Sequence, residues 1–67
     1  MRITLNGQPA EYDAPLTVAA LVMDRLGHDV RGIAVAVNEC VVPRARHASY
    51  ALGEGDLVEI VTAVQGG

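Results

Sequence analysis

Residues 53–67 read Gly53-Glu54-Gly55-Asp56-Leu57-Val58-Glu59-Ile60-Val61-Thr62-Ala63-Val64-Gln65-Gly66-Gly67, a turn, a strand and a pair of glycines in one run. Gly53 to Asp56 is a turn cluster. From Leu57 to Ala63 the alternation predicts a strand that turns Val58 and Ile60 to a core and Leu57, Glu59, Val61 and Ala63 away from it. The strand runs straight into Val64-Gln65-Gly66-Gly67. Glycine is costly to order and adds no packing. A Gly-Gly at this place therefore suggests a slim, flexible arm over 64–67 that presents the α-carboxylate of Gly67 to another protein. The same residues are also compatible with a frayed terminus, so the remainder of the chain has to decide.

Sixty-seven residues make one domain, 1–67, with a small core. Hydrophobic residues are 51% of the chain, yet there is no Trp or Phe and the only tyrosines are Tyr12 and Tyr50, so the core is aliphatic. So few large side chains make an enclosing substrate pocket hard to build, which argues against a self-sufficient enzyme. The net charge of −3 comes without any block of like charge, which disfavours nucleic acid as a partner. All five basic residues are arginines. The absence of lysine leaves no side-chain amine on which a copy of the chain could be conjugated. Cys40 is alone, which excludes an internal disulfide, a CxxC redox motif and a cysteine metal cluster. No secretory signal follows Met1, and no apolar run approaches the ~18 residues of a membrane helix. A cytoplasmic protein without membrane contact is the expectation.

Arg2 to Asn6 alternates, with Ile3 and Leu5 on one face. Asn6-Gly7 is a tight-turn dipeptide in which both residues tolerate positive φ. A second strand from Gln8 to Asp13 folds back, and Pro9 marks it as an edge. Thr17 is positioned to cap a helix, and Leu16 before it to staple onto Leu21. Val18, Leu21, Val22 and Leu26 share one stripe, and Gly27 closes the helix in the left-handed conformation. Ile33 to Val37 and Cys40 to Val42 form a second hairpin around Asn38-Glu39, stopped by Pro43. Arg44 to Leu52 reads as a surface loop with a turn of helix, Tyr50 and Leu52 turned inward.

Strand, strand, helix, strand, strand, strand, with the last strand entering Gly66-Gly67, resembles the β-grasp fold of ubiquitin-like proteins: an α+β domain with a mixed sheet of about five strands and one main helix across one face. The chain is similar to the ThiS family of sulfur carrier proteins of thiamine biosynthesis along its whole length, from RITLNG through LTVAALV and VAVNECVVPR to GEGDLVEIVTAVQGG. The most telling pieces are Asn38 to Arg44, the Gly55-Asp56 turn and the terminal Gly-Gly. The resemblance implies that Gly67 is adenylated by an ATP-using adenylyltransferase of the ubiquitin-activating (ThiF-like) type. It then implies conversion to a thiocarboxylate with the help of a sulfur-donor enzyme, and use of that sulfur by thiazole synthase (ThiG-like). The chain would be a protein co-substrate holding no cofactor of its own, because no glycine-rich loop with a lysine is present to bind ATP. Ala63 to Gly67 reach at most ~16–18 Å when extended, and two glycines let the backbone press against a nucleotide where any Cβ would obstruct.

Leu57, Val61 and Ala63 are apolar on a face that solvent alone would not favour, with Glu59 among them. Such a patch marks a partner surface. Glu54, Asp56 and Glu59 are either arginine-binding groups for a partner or an ordinary acidic turn. Cys40 has no cationic neighbour in sequence to activate it and reads as packing; His28 and His47 read as solvated. Three other functions remain open at this point: the small subunit of molybdopterin synthase, a ubiquitin-like protein modifier, and a plain binding module with an inert tail.

Overall fold

Two tight turns set the frame of the molecule. In the computed structural model, which describes residues 1–27 and 32–62, strand β1 (Arg2–Leu5) turns through Asn6 at φ 49° and Gly7 at φ 83° into β2 (Gln8–Glu11). Strand β4 (Ile33–Val37) turns through Asn38 at φ 51° and Glu39 at φ 71° into β5 (Cys40–Val42). Positive φ at both central residues gives the turn a twist that matches the flanking strands. Thus each hairpin is set by its own few residues.

Between the hairpins, Leu16–Thr17 form a short strand β3 and Val18–Leu26 the helix α1. The Thr17 hydroxyl accepts the Ala20 N–H at 3.1 Å, and Gly27, at φ 80°, closes the helix by donating to the Met23 carbonyl at 2.8 Å. Two further amides of the first turn are satisfied from afar: the N–H of Val18 donates to Tyr50 O at 3.0 Å and that of Ala19 to His47 O at 2.9 Å. The loop after Pro43 holds a 3-10 turn at Arg44–Arg46 and then β6 (Ala51–Leu52), which pairs antiparallel with β3. That pairing was not foreseen, because two residues are too few to show a period.

The last strand, β7 (Leu57–Thr62), lies at the centre of a five-stranded sheet in the order β2-β1-β7-β4-β5, parallel to β1 and antiparallel to β4. This is the β-grasp arrangement that the element order implied. Ile3, Leu5, Val35, Val37, Val42 and Val58 on one sheet face meet Val18, Leu21 and Val22 of α1, with Leu16, Leu52 and Ala10 completing the core. Leu21 is wholly buried, and its truncation to Ala would cost about 2–5 kcal/mol. That is a large share of the ~5–15 kcal/mol that holds a domain folded.

Two expectations fail. His47 is buried, only 8% exposed, not solvated. The 3-10 turn folds the loop back over β5, so that the ring Nε2 lies 3.0 Å from Val42 O. The carbonyl only accepts, so Nε2 carries the proton. Cys40 is exposed instead of packed. It opposes buried Val37, but it sits on the edge strand beside the turn, where no further strand covers it.

Candidate functional site

Leu57, Glu59 and Val61 stand on the face of β7 that points away from α1, as the alternation predicted, with Leu57 53% and Val61 60% exposed. Their neighbours follow from register. Across β4, Ala34 lies opposite Val61 and Ala36 opposite Glu59; beyond Ala36 comes Val41 of β5; on the other side Thr4 opposes Leu57 and Pro9 opposes Thr4. Val41, 72% exposed, belongs to this face and was missed. Counting outward from the Asn38-Glu39 turn would have found it, since Val42 must face the core if Val35 does. The result is an open sheet face of valine, leucine and small alanines with Glu59 within it. It is bounded at the β1–β2 margin by Arg2 and Glu11, whose side chains meet at 3.3 Å.

Two turn asparagines clasp β7 from its two sides. Asn6 donates its main-chain N–H to Val58 O at 2.9 Å, its Oδ1 accepts the Ile60 N–H at 2.8 Å, and its Nδ2 donates to Ile60 O at 3.3 Å. Asn38 donates its N–H to Leu57 O and accepts the Leu57 N–H on Oδ1, while its Nδ2 reaches Asp56 Oδ1 at 3.1 Å. The other Asp56 oxygen accepts the Gly53 N–H at 2.7 Å, and Glu54 Oε1 accepts the Arg2 N–H at 3.0 Å. Of the three carboxylates left open by the sequence, Glu54 and Asp56 therefore serve the turn itself. Of the three, only Glu59 stands on the outward face of β7.

Behind the sheet, the Tyr12 hydroxyl donates to Asp24 Oδ2 at 2.7 Å and accepts from Arg25 Nε at 2.7 Å. Burial, reinforced by the hydrogen bond to Asp24, raises the Tyr12 pKa above its ordinary value, against a lowering by Arg25. Where β1 stops and β7 continues, an open notch of about 440 Å³ lies between Pro9, Asn6, Ile60, Thr62 and the end of α1. It is formed by the unequal lengths of two strands, not by enclosure. Among the described residues no three His, Cys, Asp or Glu side chains are grouped to hold a metal, and no helix is long and apolar enough to cross a membrane.

Ala63, Val64, Gln65, Gly66 and Gly67, with His28, lie outside the described residues. The structure thus brings together Leu57, Glu59 and Val61 on the strand that leads to them. The geometry up to Thr62 is that of a supported central strand with an uncovered apolar face.

Comparison with known proteins supplies the family. The ThiS family model matches residues 3–67. The chain is 31% identical over 67 residues to the sulfur carrier protein ThiS of Escherichia coli, covering the whole of both chains. It is 39% identical over 67 residues to a thiazole synthase of Paramagnetospirillum magneticum, but spans only 20% of that protein's length. The crystal structure of the thiamine biosynthesis protein ThiS from Geobacter metallireducens superposes with a TM-score of 0.83 at 28% identity, covering all of both chains. With a family match over nearly its whole length and a sheet order and fold that agree with it, the chain belongs to the ThiS family.

Proposed function

We propose that this chain is a sulfur carrier for thiamine biosynthesis, a co-substrate whose chemistry resides at the carboxylate of Gly67. The observation that carries the proposal is the placement of β7: the strand entering the Gly-Gly segment is the central one, clasped on both sides, with Leu57 and Val61 exposed on one face. Family membership supports the same function.

A carboxylate is a poor electrophile. An adenylyltransferase of the ubiquitin-activating type would join it to AMP from ATP, with release of pyrophosphate. Hydrosulfide released by a donor enzyme then adds to the acyl carbon, AMP leaves with the electron pair of the broken C–O bond and the thioacid proton passes to water, so that Gly67 bears a thiocarboxylate. Thiazole synthase would accept that sulfur. The existence of a thiazole synthase containing a stretch 39% identical to this chain supports such a partnership. Leu57, Glu59, Val61 and Ala63 form the seat for the activating enzyme, and Val64, Gln65 and Gly66 the arm that carries Gly67 to the nucleotide.

Intact mass spectrometry of the natural protein after incubation with cell extract, ATP and a sulfur donor tests this. Replacement of one oxygen by sulfur at Gly67 is the expected result. Attachment of Gly67 to a lysine of another protein would instead establish a modifier, and an unchanged mass would count against any activated tail.

A further inference from the structure

Strand β1 ends at Leu5, opposite Val58, while its parallel partner β7 continues to Thr62. In an antiparallel ladder the N–H and C=O of one residue point to the same side. Those of Ile60 are both taken by Asn6, so they face the side on which β1 has run out. The left-handed conformation of Asn6, φ 49°, turns its main chain into the hairpin and leaves its side chain against β7. A carboxamide has the donor and acceptor of a peptide unit, and only the orientation with Oδ1 toward the Ile60 N–H and Nδ2 toward its carbonyl satisfies both. The Asn6 side chain thus stands in for the next peptide of β1. The sequence accounts for Asn6 through its tolerance of positive φ, a property glycine shares; the bidentate contact is a second task that glycine would fail.

We propose that Asn6 is a positioning residue for the chemistry at Gly67. Its carboxamide holds Ile60–Thr62 in the plane of the sheet, which keeps Val61 on the docking face and gives the end of β7 a fixed direction relative to a bound partner; the proposal rests on the carrier function argued above.

The test compares Asn6→Gly, which keeps the turn and removes both contacts, with Asn6→Asp, which keeps only the acceptor, and with Val22→Ala, a core change remote from β7's end. Amide exchange by NMR should show Ile60 exchanging about tenfold faster in Asn6→Gly while Val35 stays protected. In adenylation by a ubiquitin-activating-type enzyme, well below each variant's Tm, kcat/KM should fall about fivefold for Asn6→Gly, mainly through KM, and less for Asn6→Asp. Val22→Ala should remain within about twofold of wild type despite its lower stability. An Asn6→Gly chain as reactive as wild type, or no less reactive than Val22→Ala, overturns the proposal. A wild-type chain that is not adenylated overturns the carrier function and this proposal with it, so the two failures are distinguishable.

Discussion

Asn38 and Leu57 exchange two hydrogen bonds: the Asn38 N–H donates to Leu57 O at 2.7 Å, and the Leu57 N–H donates to Asn38 Oδ1 at 3.0 Å. A residue of the β4–β5 turn thereby fixes where β7 begins. Asn38→Ala would lose the side-chain bonds to Leu57 and Asp56 and put at φ 51° a residue that tolerates the left-handed region less well than asparagine, together about 2–3 kcal/mol. Thermal unfolding by circular dichroism should show a Tm lower by on the order of 10 °C. Asn38→Gly, which relieves the strain but not the lost bonds, should fall between.

The proposed docking face should be separable from the fold. Val61→Asp places a charge on an exposed position, so stability should change by no more than about 0.5 kcal/mol. Binding to the activating enzyme should weaken at least about tenfold if the face is desolvated in the complex. Calorimetric titration decides, and unchanged affinity would remove Val61 from the interface. Val41→Asp, on the same face but two strands away from β7, measures how far the contact extends.

These expectations depend unequally on what the sequence discloses. The strands, α1, its Thr17 and Gly27 caps and the outward row of β7 were legible because each is fixed by local period or turn chemistry. The β3–β6 pair, the burial of His47 and the exposure of Cys40 were not. A two-residue strand has no period, a histidine in a loop gives no sign that the loop folds back, and whether a strand is at the edge depends on topology. The family resemblance supplied the expected fold and the role proposed for Gly67, while the asparagine clasp around β7 needed coordinates.

The buried histidine yields its own prediction. His47→Leu keeps an apolar body but removes the side-chain donor to Val42 O, which retains only its ladder bond from Val35, at a cost of about 0.5–1.5 kcal/mol. Denaturant unfolding should report that loss. Adenylation kinetics of the folded fraction should be unchanged, since His47 lies on α1's side of the sheet, away from Val61.

Tyr12 predicts a change with pH. Its pKa is raised in the folded chain above 10.0, first by burial and then by the Asp24 hydrogen bond. Folding favours the protonated phenol, so this contribution is whole below pH 10.0 and is lost as pH rises through the folded value. Tyrosinate absorbance, taken as the difference between wild type and Tyr12→Phe, should titrate above pH 10.0. The alkaline decline in stability assigned to Tyr12 should be absent from the variant.

The capping of α1 reaches further than the helix. Two of the acceptors for its opening amides, Tyr50 O and His47 O, belong to the loop that follows β5. A helix of this length is marginal by itself, and here its start is completed only after the chain has passed through the second hairpin and returned. The segment 1–27 should therefore be unable to hold its helix when cut from the remainder. The domain should therefore unfold in one cooperative step, so that a carrier of this kind is present either whole or not at all.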